Sequence, residues 1–269
     1  MNNNQNDKKA VVFDNSGTLL ERYRVIKDIT NDELITNINS MTLIDNIGSA
    51  ALAILQFDTG TLGNLNPNML ISDLIEEYNI EINVSYSQGD LSKDEILEII
   101  KNDKAVIKDI SDCFPLLKEK VPNMELCNGS ALILDLSEKR IGYTITSAGQ
   151  LFPNVKSTIA TLQDRNIDVF IASGDRSGAI SKLANIIGIE ESHAFPTAST
   201  KRKGEIVTNL KNDGYKVMMV GDGPNDVVAF NNADVATLTI EQKGDYSEKL
   251  IKYADYVVKD ISEILKINF

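Results

Sequence analysis

The chain has 269 residues, which is enough for one large domain or for a core with a smaller second domain. Apolar residues make up 42% and charged residues 25%, the profile of a globular protein that buries a real core. The formal net charge of -12 argues against nucleic acid or an anionic membrane as a partner, because clustered Lys and Arg hold such polyanions. An acidic protein can still bind a single phosphate group through a few local cations and a metal ion.

The location of the protein is predicted from what the sequence lacks. No run approaches the roughly 18 apolar residues of a membrane-spanning helix, and the Asn-rich residues 1–9 contain no signal-peptide core. Two cysteines are too few for a disulfide framework. We therefore expect a cytoplasmic protein with a short disordered N-terminal tail. The single histidine, His193, is expected to be a packed or surface residue rather than a zinc ligand.

The first half of the chain begins with a short apolar run, residues 9–13, that predicts a buried strand ending at Asp14. The following block, residues 21–140, has a mixed pattern of strands and helices and predicts an inserted α+β cap domain. Its predicted elements are strands at 41–45 and 50–57, helices at 68–78 and 92–102, and a hairpin of 131–136 and 141–146.

The second half alternates regularly between helical and strand patterns. Alternation of this kind predicts a doubly wound parallel sheet, so the fold class is α/β, with a core of residues 1–20 and 141–269. The predicted elements are a helix through Val155, Ile159 and Leu162, a strand at 168–172, a helix from Ile180 to Ile187, a strand at 193–195, a helix through Ile206, Val207 and Leu210, a strand at 216–220, a helix from Pro224, a strand at 235–238, a helix at 246–253, a strand at 256–258 and a last helix.

Four polar segments follow predicted strands, at the sheet edge where open parallel sheets bind ligands. The first is Asp14-Asn15-Ser16-Gly17-Thr18. A carboxylate just past a buried strand can attack phosphorus, and Gly17 frees the backbone to turn sharply. The structural alternative is an Asp that ends a strand before an ordinary glycine turn.

The second and third segments could hold the phosphate itself. Ser173-Gly174-Asp175 offers a hydroxyl and backbone N–H groups at a helix N-terminus, although a plain N-cap explains it as well. Lys201-Arg202-Lys203 precedes an amphipathic helix, and one of its lysines could hold a phosphoryl group as a point charge. The alternative for each lysine is a solvated helix start.

The fourth segment, Gly221-Asp222-Gly223-Pro224-Asn225-Asp226, favours function most strongly. Its two carboxylates lie at a predicted strand-to-helix junction, and Mg²⁺ prefers carboxylates together with substrate oxygens and waters. The helix N-terminus offsets part of their mutual repulsion. A turn with a capping Asp is the alternative.

Together the four segments resemble the motifs of the haloacid dehalogenase (HAD) superfamily. Within it, they look like the phosphorylation domain of P-type ATPases and the soluble, P-type-ATPase-like phosphatases of archaea. The resemblance covers residues 9–18 and about 142–258 and implies a HAD-like Rossmannoid core. The cap carries almost no family signal.

The resemblance implies a role for each motif residue. Asp14 would be the nucleophile that becomes an aspartyl-phosphate, Ser173 would bind the phosphoryl oxygens, and Lys203 would neutralise them. Lys203 is preferred to Lys201 because Ile206, Val207 and Leu210 follow it at the family's spacing. The implied Mg²⁺ ligands are Asp14, the Ser16 carbonyl, Asp222 and Asp226. Gly174 and Asn225 would complete the phosphate site.

Two departures from the family pattern matter. HAD phosphatases carry a second Asp two residues after the nucleophile, where this chain has Ser16. A hydroxyl cannot replace a carboxylic acid as proton donor near neutral pH, and P-type ATPases have Thr there. The Lys-Gly-x-Pro nucleotide motif of ion-pump caps is not found between Glu21 and Arg140.

Three functions follow from these motifs. The first is a Mg²⁺-dependent phosphatase acting on a small phosphorylated substrate through an aspartyl-phosphate on Asp14. The second is an ATPase or phosphotransferase with nucleotide bound by the cap, in which ATP is the substrate. The third is a non-catalytic phosphate- or metal-binding protein. Intact Asp14, Ser173, Lys203 and Asp222 count against the third.

Overall fold

The computed structural model describes residues 8–36, 40–87, 91–122, 126–242 and 248–269. In those ranges the chain forms the strands β1 to β12. They are Lys8–Phe13, Leu20–Asp28, Glu33–Ile35, Ala50–Leu55, Ile82–Ser87, Leu126–Asp135, Arg140–Leu151, Ile167–Ala172, Ala194–Phe195, Tyr215–Gly221, Val235–Thr239 and Tyr256–Val258.

The α-helices of the same ranges, α1 to α9, are Ser40–Ile47, Ile71–Glu77, Lys93–Asn102, Ile107–Ser111, Phe114–Lys120, Val155–Asp164, Ser177–Ile187, Thr200–Asn212 and Val227–Asn232. Short 3-10 helices add Thr59–Asn64, Glu191–His193, Pro224–Asp226, Glu248–Tyr253 and Ile261–Lys266. No helix in the described part of the chain is long and apolar enough to cross a membrane.

The chain divides into two compact units, residues 1–22 with 150–269, and residues 23–149. The predicted division into domains at 20/21 and 140/141 stays a prediction. The boundary at which the chain returns to the first unit lies after residue 149, later than the predicted 140/141. The reason is that Arg140–Leu151 is one continuous strand, most of which belongs to the second unit.

The first unit contains a six-stranded sheet in the order β12-β11-β10-β1-β8-β9. Every adjacent pair is parallel, which confirms the predicted doubly wound α/β fold. Strand β1 begins with two lysines and continues as an apolar run that is wholly buried from Ala10 to Phe13, as expected for a strand covered on both faces. Because β8 and β10 flank β1, the loops that follow these three strands meet at one sheet edge.

Helices of the first unit bury one apolar face each against this sheet. On α7, the residues Ile180, Leu183 and Ile187 are buried at helical spacing, and Gly188 ends the helix with a φ of +76°. On α8, the buried residues Ile206, Val207 and Leu210 pack into the same cluster as β1 and β10. The last two predicted helices form as 3-10 helices, and residues 246–247 of the helix predicted at 246–253 lie outside the described residues.

The second unit contains another six-stranded sheet, in the order β3-β2-β7-β6-β4-β5. The pairs β2–β3, β4–β5, β4–β6 and β6–β7 are antiparallel. The β6–β7 pair is the predicted hairpin, with longer strands than expected. Helices α2 and α3 pack against this sheet through a shared apolar cluster, which confirms the predicted α+β character.

One predicted element of the second unit is wrong. The sequence pattern predicts a strand at 41–45, whereas the chain forms helix α1, Ser40–Ile47. Leu43, Ile44 and Ile47 pack into one cluster at helical spacing, and Gly48 follows with a φ of +75°. A short apolar run cannot be assigned by periodicity alone, and the packing of this one face decides in favour of helix.

Candidate functional site

The site begins with Asp14, the first residue after strand β1. Its backbone N–H donates to the Val220 carbonyl at 2.9 Å, which continues the pairing of β1 with β10. The residue is only 4% exposed. A carboxylate buried to this degree needs a compensating partner, since desolvation of an unpaired charge is costly.

That partner is Lys203, on the first turn of α8. Its Nζ lies 2.6 Å from Asp14 Oδ1 and 2.7 Å from Asp226 Oδ1, and the residue is 1% exposed. Ser199 caps the helix through the Arg202 N–H, which begins α8 at the turn that carries the lysine inward. Lys201 instead has an 88% exposed side chain near Glu205, so the structure places Lys203, and not Lys201, in the cluster.

The loop after β10 adds two further carboxylates. Oxygen atoms of Asp14, Asp222 and Asp226 lie within 4.8 Å of one another. Asp226 is held in place because its Oδ2 accepts the backbone N–H groups of Asp222 and Gly223, at 3.2 and 3.1 Å. A side chain on Gly221 would collide with this carboxylate, since its Cβ would lie 2.4 Å from Asp226 Oδ2.

The electrostatics of this cluster favour a bound cation. Three carboxylates surround one ammonium group, so acidic groups outnumber basic ones in the cluster. Burial and the charge of Asp14 raise the pKa of both Asp222 and Asp226. Burial alone would lower the pKa of Lys203, but Asp14 and Asp226 outweigh it and the pKa is raised. The arrangement therefore fits a divalent metal ion with hard oxygen ligands.

Gly17 allows the loop after β1 to approach the cluster of Asp14, Asp222 and Asp226. Its φ is +84°, and a Cβ atom at this position would lie 2.0 Å from Asp222 Oδ2. Both the backbone conformation and the close approach thus require glycine. The neighbouring Thr18 is fully buried, with its Oγ1 3.5 Å from Asp222 Oδ1.

The loop after β8 places Ser173 beside the loop that carries Asp14. Ser173 is 1% exposed, and its hydroxyl donates to Asp175 Oδ2 at 2.9 Å. The same carboxylate oxygen accepts from Ser16 Oγ at 3.2 Å. The Ser16 hydroxyl therefore points to Asp175, and a role for the Ser16 carbonyl as a metal ligand stays a prediction.

Two predicted phosphate-binding residues are not brought into the buried cluster. Both Gly174 and Asn225 are exposed. The side chain of Asn225 folds back over Gly223 in its own turn. A Cβ atom added to Gly223 would lie only 2.3 Å from Asn225 Oδ1. Their predicted contacts with phosphate remain predictions.

Sequence reasoning missed a second polar cluster around Asp175. Asn15 Nδ2 donates to Asp175 Oδ2 at 2.7 Å, and Arg22 donates to Asp175 Oδ1 at 2.9 Å. Burial would raise the pKa of Asp175, but Arg22 and the hydrogen bonds from Asn15, Ser173 and Ser16 hold it below its ordinary value. The sequence showed Asp175 only as a cap, and no local pattern links it to Arg22.

His193 is a packed residue, as predicted from its isolation in the sequence. Its ring stacks on Phe170 with centroids 4.2 Å apart, and Nδ1 lies 3.2 Å from the Val169 carbonyl. The buried thiol of Cys113, in the second unit, has its pKa raised to about 11 by burial, which makes it an unreactive packing residue.

The fold and the cluster at the sheet edge define a haloacid dehalogenase-type site. The family model described as "Hydrolase: haloacid dehalogenase-like hydrolase" matches residues 8–234. The chain belongs to this family of hydrolases. The match includes Asp14, Ser173, Lys203 and Asp222.

A relative that is similar over nearly the whole chain is the "Soluble P-type ATPase-like phosphatase" of Methanocaldococcus jannaschii, 39% identical over 97% of this chain and 93% of that protein. The "Probable copper-importing P-type ATPase A" of Enterococcus hirae is 33% identical over 45% of this chain, which corresponds to 17% of that longer protein. The solved "catalytic CPx-ATPase domain CopB-B" is 18% identical over 97% of this chain and 88% of its own, with a TM-score of 0.48.

Proposed function

We propose that this hydrolase is a Mg²⁺-dependent phosphatase that forms an aspartyl-phosphate on Asp14. The observation that carries the proposal is the buried ion-pair cluster in which Lys203 contacts Asp14 and Asp226 at 2.6 and 2.7 Å, beside Asp222. A lysine paired with two carboxylates in a buried site supplies the fixed charges that phosphoryl transfer requires. The name of the 39% identical archaeal relative also supports a phosphatase.

Asp14, Asp222, Asp226 and the Ser16 carbonyl would hold Mg²⁺, which when bound would neutralise charge on the phosphoryl oxygens. Residues of the chain itself carry out the remaining steps. Asp14 attacks phosphorus, and a P–O bond forms as the bond to the leaving oxygen breaks. Lys203 neutralises the phosphoryl oxygens. The single hydrogen of the Ser173 hydroxyl, which points to Asp175 in the free protein, turns to one of these oxygens when substrate binds, while the Asp175 N–H keeps the Ser173 oxygen in place. Water then attacks phosphorus, inorganic phosphate leaves, and Asp14 is regenerated.

The second half of this reaction is expected to be slow. Ser16 stands where HAD phosphatases carry an acid–base Asp, and its hydroxyl lies 3.2 Å from Asp175. Positioned acid–base groups are typically worth about 10²–10⁴-fold. Without one at position 16, a substrate with a good leaving group phosphorylates Asp14 readily, and the phosphoenzyme accumulates before water removes the phosphate.

The proposed substrate is a small phosphate monoester. The 33% identity to part of a P-type ATPase favours a second candidate, an ATPase or phosphotransferase whose nucleotide is bound by residues 23–149. The acidic composition continues to argue against nucleic acid and membranes as partners, and a cytoplasmic location continues as our expectation.

The proposal is tested by measuring phosphate release from a panel of phosphate monoesters and nucleotides, with Mg²⁺ and with excess chelator. We expect wild-type protein to release phosphate from monoesters only with Mg²⁺, and the Asp14→Asn variant to release none. Preferential hydrolysis of ATP, together with a thermal shift on nucleotide binding, would instead support the second candidate. Full activity in chelator would overturn the metal assignment.

A further inference from the structure

The Asp175 carboxylate accepts hydrogen bonds from four side chains. Its Oδ2 accepts from Asn15 Nδ2, Ser173 Oγ and Ser16 Oγ, at 2.7, 2.9 and 3.2 Å. Its Oδ1 accepts from Arg22 at 2.9 Å. Four donors on one carboxylate are more than a helix cap needs, because an N-cap side chain satisfies one or two backbone N–H groups.

These donors belong to different segments of the first unit. Asn15 and Ser16 follow strand β1, and Ser173 follows the neighbouring strand β8. The two strands end in register, with Phe13 opposite Ile171. The carboxylate therefore connects the loop that carries the proposed nucleophile to the loop that carries the proposed phosphate-binding hydroxyl.

Arg22 fixes the carboxylate from its other side. The side chains of Arg22 and Asp175 are 28% and 21% exposed, so the pair is partly shielded from solvent. The Arg22 backbone is itself anchored, because its N–H donates to Gln242 Oε1 at 2.8 Å. The negative charge of Asp175 would otherwise add to the repulsion among the carboxylates of the site. The Arg22 guanidinium compensates this charge locally.

We propose that Asp175, held by Arg22, is a positioning residue for phosphoryl transfer: it fixes the side chains of Ser173 and Ser16 relative to Asp14. This role rests on the proposed function of the site. The backbone N–H of Asp175 also donates to Ser173 Oγ at 3.1 Å, so the Ser173 oxygen is held by both a donor and an acceptor of the same residue. Asp175 acts through these hydroxyls and does not touch the reacting phosphorus.

The proposal predicts how Asp175→Asn changes turnover. An amide supplies one acceptor oxygen where the carboxylate supplies two, and its NH₂ group faces donors. Ser173 and Ser16 should lose their fixed positions. We expect kcat to fall roughly 10–100-fold, the range typical when an orienting partner of a site residue is removed. KM should change by less than about threefold, because the charges that bind the phosphate remain.

The matched control is Asp234→Asn. Asp234 also forms an ion pair, with Lys211 at 2.9 Å, and accepts a backbone N–H from Val217 at 2.8 Å. Its side chain is 28% exposed, close to the value for Asp175. It belongs to the same unit, and its hydrogen bond and ion pair go to Val217 and Lys211 rather than to the site residues named above. We expect Asp234→Asn to lower the melting temperature while leaving kcat unchanged.

A double-mutant cycle separates positioning from general destabilisation. If Asp175 acts through Ser173, then Asp175→Asn should reduce kcat much less in a Ser173→Ala background than in wild type. Arg22→Gln provides a second variant, in which the carboxylate stays but loses its anchor, and it should show a smaller loss of kcat. Equal losses in both backgrounds would overturn the proposal.

Crystal structures of wild type and Asp175→Asn provide a readout that does not depend on activity. We expect the Ser173 and Ser16 hydroxyl oxygens to move by about 1 Å or more, a displacement large enough to matter for catalysis. If both oxygens stay in place, Asp175 does not position them. If wild-type protein releases no phosphate from any substrate, the proposed function fails, and these structures alone decide the positioning role.

Discussion

The ammonium group of Lys203 lies 2.6 Å from the carboxylate of Asp14, although 189 positions separate the two residues in the chain. Both residues are almost completely buried, and Asp226 contacts the same ammonium at 2.7 Å. Removing one partner of such a buried ion pair leaves an uncompensated charge in a buried site.

Lys203→Met should therefore destabilise the protein strongly and remove its activity. We expect a loss of about 3–5 kcal/mol in the free energy of unfolding, measured by urea denaturation without added metal. Lys201→Met is the matched control, since that side chain is 88% exposed, and it should change stability by no more than about 0.5 kcal/mol. Equal effects of the two substitutions would show that Lys203 does not compensate the carboxylates.

Gly17→Ala should disrupt the cluster of Asp14, Asp222 and Asp226. The substitution forces a side chain into a backbone with a φ of +84° and places Cβ 2.0 Å from Asp222 Oδ2. Gly214→Ala is a closely matched control, because Gly214 has a φ of +88° but a Cβ atom added there would meet no other atom within 4 Å. The strain alone costs roughly 1–2 kcal/mol.

Both alanine variants should thus lose stability, but only Gly17→Ala should lose Mg²⁺ binding in calorimetric titration. The comparison isolates the collision with Asp222 from the backbone strain. If Gly17→Ala binds Mg²⁺ as tightly as Gly214→Ala does, the close approach of this loop to Asp222 has no part in the metal site.

Asp222→Asn should weaken Mg²⁺ binding at least about tenfold, since it removes a proposed direct ligand rather than only an orienting partner. The substitution is nearly isosteric and removes a carboxylate whose pKa is raised by burial and by Asp14. The apo protein should become no less stable, because repulsion within the cluster falls. Titration calorimetry and thermal unfolding check both points. Unchanged Mg²⁺ affinity would contradict the assignment.

Asp260 provides a test of pH dependence outside the site. The hydrogen bond from the Ser262 hydroxyl, helped by those from the Ser262 N–H and Asn154, lowers the pKa of Asp260. These hydrogen bonds outweigh burial, which alone would raise this pKa. A lowered pKa in the folded state contributes stability that is present above the unfolded pKa of about 3.9 and is lost as pH falls through the folded value.

Asp260→Asn should therefore lower stability at pH 7 by less than about 1 kcal/mol, since Asn is nearly as good an N-cap as Asp. The difference from wild type should shrink below about pH 4. Urea unfolding at several pH values measures it. A difference that stays constant down to about pH 2 would show that the ionised form of Asp260 is not what stabilises the 3-10 helix Ile261–Lys266.

The sheet-edge cluster was predictable because parallel strands end at a common edge. Asp14, Ser173 and Asp222 each follow a strand of recognisable apolar pattern, so the fold alone brings them together. The family's spacing to Ile206, Val207 and Leu210 favours Lys203 over Lys201. In the structure these three residues are buried on α8 together with Lys203.

The Asp175 cluster could not be predicted in the same way. Arg22 and Asp175 are 153 positions apart, and nothing in the spacing of either residue indicates the other. Helix caps and periodicity can be predicted from neighbouring residues. This ion pair cannot, because it depends on where the start of β2 lies in the folded unit. Helix α1 was missed for a related reason, since packing of Leu43 and Ile44 decides its conformation.

Asp14 should carry the phosphoryl group during turnover, and every other role proposed for the site depends on this. The most direct measurement is rapid acid quench of wild-type enzyme during hydrolysis of a good substrate with Mg²⁺, followed by mass spectrometry of the peptide that contains Asp14. We predict a phosphorylated Asp14 that accumulates within the first turnover and is missing from Asp14→Asn. Phosphate release by wild type with no phosphoryl group on Asp14, or turnover that survives in Asp14→Asn, would contradict the assignment of the nucleophile.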